Sequence, residues 1–198
     1  MSGKALDWSR LSARRLRAIA RALGRRVGFL PPRTHSELVI DVSCAGQVLD
    51  GWNTRERSIF EEHHLTLIDP FVPPDQLNEA ILSGVREVLA EFEPFSYELV
   101  RVQRFPSVLY LAPEPVGPFV AITEALWRRF PEYPPYAGAF DVIVPHVTIV
   151  LGQEPLGIAD FVAQQLPVRG RVDHVELRME LSNGRWDVAE RFVLGTRP

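Results

Sequence analysis

One cysteine in 198 residues, Cys44, leaves no partner for an internal disulfide and no cysteine cluster for a metal. No apolar run approaches the roughly 20 residues that cross a bilayer. The first thirty residues have neither the apolar stretch nor the small-residue cleavage site of a secretory signal. A reducing, cytoplasmic setting without a transmembrane segment is the expectation. Also missing are a Walker-type phosphate loop, a Gly-rich dinucleotide loop and a His-Glu-x-x-His pair. Their absence excludes the commonest nucleotide and zinc-hydrolase machinery. Histidine is scarce at five, so each histidine weighs in the reading.

What is present is a composition of 46% hydrophobic and 24% charged residues, enough apolar material to bury a proper core. Charge is unevenly placed. Residues 1 to 33 hold nine of the 22 basic side chains and a single acid, Asp7, which leaves 13 basic against 24 acidic residues in the remainder. Leu16, Ile19, Ala20, Leu23 and Val27 recur at helical spacing within this leader. A basic amphipathic helix is expected there, an accessory element able to touch RNA or a protein partner. Pro31-Pro32 separate it from an acidic body, residues 34 to 198, read as the functional domain. An acidic body is a poor general footprint for long nucleic acid.

The body opens with an expected strand over 37 to 42. Residues 43 to 60 are weakly periodic. A short apolar strand from 63 to 68 ends at Asp69-Pro70. Leu77, Ile81, Val85, Val88, Leu89 and Phe92 predict a helix started by Pro73-Pro74-Asp75. Strands are expected at 96 to 104 and 107 to 112, then a helix opening at Gly117-Pro118, then a Pro/Tyr/Gly-rich loop over 131 to 139. A strand over 140 to 151 bends near Pro145 and is followed by a short helix at 157 to 166. Arg171 to Leu181 alternates cleanly and should pair with 186 to 194 through Ser182-Asn183-Gly184. The predicted class is α+β.

Two of these strands carry the same phrase. His64-Leu65-Thr66 and His146-Val147-Thr148 lie 82 positions apart, each inside an apolar, β-branched run. In a strand, the histidine and threonine of each phrase leave one face while Leu65 or Val147 leaves the other. A single such triplet arises by chance, but two in matched context among five histidines do not read as accident. Each is followed by a helix, which predicts an internal duplication: two lobes, each with an antiparallel-rich sheet, flanking a central cleft with helices outside. His64 and His146 across that cleft could serve as acid and base near neutral pH. Thr66 and Thr148 could donate hydrogen bonds to phosphate oxygens. Threonines in place of a carboxylate or third histidine argue against a metal, and no cofactor is expected. Arg104, Phe105, Tyr110, Tyr136 and Trp186 are further candidates to line the cleft, the arginine by touching phosphate and the aromatics by stacking on a base. His63 falls on the opposite face from His64 and reads as structural.

The paired HLTL and HVTI phrases, their separation, and the segments FPSVLYLAPEP and FDVIVPHVTIV resemble the two-histidine phosphoesterase superfamily, in its 2'-5' RNA ligase-like branch, over residues 36 to 195. The resemblance implies a bilobal fold with the two motifs on facing strands. It implies His64 and His146 as general acid and base, and Thr66 and Thr148 as phosphate ligands. The implied substrate is a small nucleotide or RNA end bearing a 2',3'-cyclic phosphate, hydrolysed without metal to a 2'-phosphomonoester. RNA 2'-5' ligation is the alternative within enzymes. A silent nucleotide- or RNA-end-binding module is the alternative outside them. A monomer is expected.

Overall fold

A computed structural model describes residues 35–52, 62–181 and 185–196. The basic leader, part of the weakly periodic stretch before His64, and the Ser182-Asn183-Gly184 turn lie outside these residues. Eight strands are described: β1 (Ser36–Asp41), β2 (His64–Ile68), β3 (Phe95–Phe105), β4 (Val108–Glu114), β5 (Val147–Leu151), β6 (Val168–Val172), β7 (His174–Glu180) and β8 (Trp186–Val193). The α-helices are α1 (Glu79–Leu89), α2 (Gly117–Arg129) and the six-residue α3 (Ile158–Ala163). Short 3-10 turns occupy Ser43–Leu49, Pro74–Gln76 and Pro135–Gly138.

All eight strands form one sheet in the order β6-β3-β4-β5-β2-β1-β7-β8, with every neighbouring pair antiparallel. The expected pair of sheets is therefore a single sheet. The reason is local: the two histidine strands lie beside each other at its centre and pair at Leu65 and Val147. On either side of that narrow seam stand four strands, β5-β4-β3-β6 and β2-β1-β7-β8.

One face of the sheet is packed. Leu38, Ile40, Leu65, Leu67, Leu111, Val147, Ile149 and Leu177 are buried there with Val85 and Leu89 of α1 and Phe119, Ile122 and Leu126 of α2. Helix α2 packs on β2, α1 on β8, and α3 on β3. Helix α1 starts later than Pro73 suggests, because the prolines enter a 3-10 turn and Asn78 then caps the helix, its side chain accepting from the N–H groups of Ala80 and Ile81 at 3.0 and 3.2 Å. Burying about a dozen large side chains at roughly 1.5–3 kcal/mol each makes this face the main source of stability. It also leaves the opposite face of the central strands to carry polar groups.

Two elements differ from their sequence reading. The alternating run 171 to 181 is not one strand. It breaks at Asp173, so that β6 joins β3 at one edge of the sheet while β7 joins β1 near the other. Uniform alternation across the break hides it. The second histidine strand is also shorter than expected, beginning at Val147, because residues 140 to 146, with Pro145 lacking an N–H, approach as a loop.

Candidate active site

The polar face of the central strands follows from the register. Pairing of Leu65 with Val147 in an antiparallel ladder sets His64 opposite Thr148 and Thr66 opposite His146. All four side chains leave the face opposite the core residues Leu65 and Val147. In a regular ladder, direct partners stand about 4.5–5.5 Å apart at Cβ and diagonal ones about 7–8 Å, the span over which two imidazoles could flank one phosphate. Among the described residues, no hydrogen bond claims the hydroxyl of Thr66 or Thr148.

Both histidines are oriented by the same device. Nδ1 of His64 lies 3.1 Å from the carbonyl of Glu62, and Nδ1 of His146 lies 2.8 Å from the carbonyl of Val144, in each case two residues back along the chain. A carbonyl only accepts, so at His146 Nδ1 carries the proton and Nε2 is left for proton exchange; at His64 the Arg178 guanidinium, which only donates, also lies 3.5 Å from Nδ1.

Beyond that shared bond the two surroundings diverge. His146 stands among aromatic rings: Phe105 edge-on at 5.0 Å, Tyr110 edge-on at 5.3 Å and Tyr136 nearly parallel at 6.2 Å. Phe105 and Tyr110 stack on each other at 4.1 Å, and the Tyr110 hydroxyl donates to Oε1 of Gln103 at 3.0 Å. Burial in this cage pushes the His146 imidazole below its ordinary range, opposed in part by the Val144 carbonyl. Tyr136 reaches the ring from a loop in which both Tyr136 and Ala137 hold φ at 52°, a left-handed conformation costing about 1–2 kcal/mol for each non-glycine residue. A groove of about 240 Å³ behind this loop, lined by Val120, Trp127, Pro134, Phe140 and Val142, shares Tyr136 with the site.

His64, with a side chain 8% exposed, sits instead among charges. Its Nε2 is 4.0 Å from Oε1 of Glu37, a carboxylate only 1% exposed. Arg178 brings Nη1 within 3.5 Å of Nδ1. The arginine is held by Glu176, accepting from Nε at 2.8 Å and facing Nη2 at 2.7 Å, and leans on Asp41 at 3.7 Å. Arg191 gives Glu176 a further bond at 3.0 Å. Burial alone would raise the Glu176 carboxyl, but the two guanidinium groups outweigh it and hold the group below the usual range. Glu37, Glu176 and Arg178 belong to strands β1 and β7, where Glu37 and Arg178 are direct partners.

The sequence candidates thus separate. His64, Thr66, His146 and Thr148 come together, and Phe105, Tyr110 and Tyr136 gather around His146. Arg104 does not join them: strand alternation turns it from the Phe105 face, and its guanidinium forms a two-pronged bond with Glu154 at 2.9 and 2.8 Å. Trp186 lies on the edge strand β8, edge-on to His35 at 4.9 Å, near the far end of β1. His63 is buried, as its face requires, and burial lowers its imidazole against the opposing effects of the Thr148 backbone and Asp41. Sequence reasoning missed Glu37, Asp41, Glu176 and Arg178. Their signal was there: charged residues alternating with core aliphatics in central strands. A surface strand of the same alternation would have looked alike.

Among the described residues, no group of three or more His, Cys, Asp or Glu is placed to hold a metal. No helix among them is long and apolar enough to cross a membrane.

Known proteins resemble this chain in sequence and in fold. The sequence profile of the 2'-5' RNA ligase superfamily matches residues 60–184. A Bacillus pumilus protein with the provisional name of phosphoesterase is 29% identical over 143 residues, covering 67% of this chain and 79% of its own. A Bacillus cereus protein of the same provisional name is 30% identical over 147 residues, at 67% and 78% coverage. Among solved structures, Escherichia coli LigT in apo form superposes with a TM-score of 0.57 at 15% identity, covering 83% of this chain and all of LigT. LigT is also solved in complex with 3'-AMP, with a TM-score of 0.56, 15% identity and coverage of 82% and 98%. The Thermus thermophilus protein TT0787 gives 0.55 at 18% identity, with 81% and 98% coverage. At these identities the structural likeness speaks for the fold.

Proposed function

The chain belongs to the 2'-5' RNA ligase superfamily, and on that premise we propose that it is a metal-independent phosphodiesterase that opens 2',3'-cyclic phosphates on small nucleotides or RNA ends. The observation that carries this reading is the seam between β2 and β5. Its register sets each histidine opposite the other motif's threonine on a sheet face that the core leaves free. In the proposed complex the two hydroxyl donors and the two imidazoles flank one phosphate.

In the proposed step, the threonine hydroxyls hold the non-bridging oxygens. Nε2 of one histidine takes a proton from water as its oxygen bonds to phosphorus. The P–O3' bond breaks, and Nε2 of the other histidine gives its proton to the departing 3' oxygen. The product is a 2'-phosphomonoester, with one imidazole a proton richer and the other a proton poorer. Positioned acid and base catalysis contributes about 10²- to 10⁴-fold for each group. The hydroxyls act where negative charge is concentrated on phosphorus oxygens. The rings around His146 offer a sequence-tolerant surface for a base. That LigT binds 3'-AMP supports a mononucleotide-sized ligand. The acidic balance of residues 34–198 supports an end or a small nucleotide over long RNA. In this reading the two four-strand halves are the duplicated lobes, residues 34–198 are the catalytic domain of a monomer, and residues 1–33 are accessory.

The test is turnover with EDTA present, on 2',3'-cyclic nucleotides and on an oligonucleotide ending in a cyclic phosphate, comparing the full chain with His64→Ala and His146→Ala. Turnover that falls at least 100-fold in each variant is expected. Saturable binding without turnover would replace the enzyme with a binding module, and unchanged rates in both variants would overturn the site.

A further inference from the structure

Helix α2 carries apolar side chains on two faces, and only one of them meets the core. Phe119, Ile122 and Leu126 point inward. Val116, which precedes the helix in helical conformation, is followed by Val120, Glu124 and Trp127 at spacings of four, four and three, so these four share an outer face. The groove behind the Tyr136 loop opens on that face, with Val142 also lining it. Val116, Trp127 and Val142 are three of the six large apolar side chains exposed among the described residues, so half of that exposure is gathered in one place. Among the described residues, the charged side chains that line the groove are two acids, Glu124 and Asp141.

We propose that this groove is the docking site of the chain's own basic leader, with residues 16–27 laying their apolar stripe along the outer face of α2. Three observations choose this occupant. Pattern is the first: Leu16, Ile19, Ala20, Leu23 and Val27 recur at helical spacing over eleven steps, and Val116 to Trp127 is also eleven steps. At 1.5 Å per residue, both stripes run about 17 Å. An apolar helical face seated in an apolar groove, with anchors three and four residues apart, is a recurrent mode of recognition. Charge is the second. At helical spacing the leader's stripe is bordered by Arg15 and Arg26 on one side and Arg17 on the other, and residues 9 to 27 contain no acid. They would meet a groove whose charged lining is acidic. Reach is the third. The carbonyl of Ser36 accepts from the N–H of Phe71 at 2.7 Å, the Phe71 ring meets that of Tyr133 at 5.6 Å, and Tyr133 adjoins Pro134 of the groove. Two residues therefore separate Ser36 from the groove, while the eight steps from Val27 to His35 extend up to about 26 Å.

Size favours a tethered segment over a separate molecule. A helix face about 17 Å long and 10–12 Å wide has a footprint of about 200 Å², far below the roughly 800 Å² per partner of a stable interface between free proteins. A tether supplies an effective concentration in the millimolar range, which lets so small a contact be filled. Tyr136 lines both this groove and the His146 cage, so a docked leader would brace the loop that completes the cage.

The experiment is photo-cross-linking in the full chain carrying Val142→p-benzoylphenylalanine, a position outside the clamp. Equal amounts of ¹⁴N- and ¹⁵N-labelled chain are mixed at low micromolar concentration, irradiated, digested and read by mass spectrometry. Cross-links to residues 16–27 within one isotopic chain are expected. Ile19→Asp with Leu23→Asp, which alters no residue of the described body, removes two of the five anchors and should lower their yield at least tenfold. Glu124→Lys, at an exposed position, should lower it about two- to fivefold, the worth of a surface ion pair. A yield unchanged in either variant overturns the proposal. Cross-links between the two isotopic chains would make the occupant a second copy and overturn it as well. Absence of cross-links to the leader overturns it outright, and co-sedimentation with phosphatidylserine-containing vesicles, lost in Ile19→Asp with Leu23→Asp, would then assign the stripe to a lipid surface. Contact rather than turnover is the readout, so the result does not depend on the phosphodiesterase reading.

Discussion

Glu176→Gln removes one charge and almost no volume from the floor of the first half of the sheet. Glu176 is 2% exposed and holds the guanidinium of Arg178, itself only 9% exposed, through contacts at 2.8 and 2.7 Å. Breaking a buried pair by taking one partner's charge costs about 3–5 kcal/mol, because the other charge stays buried without its match. Two features temper this. Asp41 remains 3.7 Å from Arg178, and Arg191, 62% exposed, contributes no more than a surface pair, about 0.2–1 kcal/mol. A loss of about 3 kcal/mol at pH 7 is expected, or roughly 6–12 °C in Tm for a domain of this size. The pH dependence gives the sharper check. The folded carboxyl lies below its unfolded value, so its stabilisation is fully present above the unfolded value of about 4.3 and is lost as pH falls through the folded one. Urea unfolding of both proteins between pH 3 and 8 should therefore show the difference between them shrinking below about pH 4. A difference under about 0.5 kcal/mol at pH 7, the size of an ordinary surface substitution, or one constant down to pH 3, would refute the claim that this ion pair is buried and stabilising.

Three further outcomes follow from named contacts. A Cβ on Gly170 of β6 would crowd the ring of Tyr97, a rigid side chain 3% exposed, so Gly170→Ala should cost about 1–3 kcal/mol by denaturant titration. Phe105→Ser should admit water to the His146 cage and move that imidazole back up toward its ordinary range, read as a higher titration midpoint by histidine side-chain NMR. Thr66→Val and Thr148→Val should each slow turnover by about 10- to 100-fold, the worth of a hydrogen bond to a charged group, without changing the far-ultraviolet circular dichroism.

Much of this was legible in the sequence, for reasons that differ by residue. Period-two alternation is a covalent fact of strands, so the chain order alone puts His64 with Thr66, and His146 with Thr148, on common faces. The register between the two strands was not legible. It joins Leu65 to Val147 across 82 positions, and no local signal sets a pairing of that range. That is why two sheets were expected where one exists. Arg104 and Trp186 were attractive by type, yet type is silent about face and strand order: alternation and Glu154 turn the first away, and the sheet edge holds the second. Tyr136 is the converse. Neither it nor Ala137 is a residue that favours positive φ, so the turn that swings the ring over His146 was invisible in a loop that merely looked rich in proline. Glu176 and Arg178 were visible as one side of an alternating strand. Only the neighbouring strands show that this side is interior.

The central claim is that the two His-x-Thr phrases make one clamp for a cyclic phosphodiester. Its most direct measurement is a ³¹P NMR time course of 2',3'-cyclic AMP with the full chain, in H₂¹⁸O with EDTA present. The cyclic signal should convert to a single 2'-phosphomonoester carrying one ¹⁸O. A cyclic signal that persists unchanged, or a product mixture of 2'- and 3'-phosphates, would contradict it.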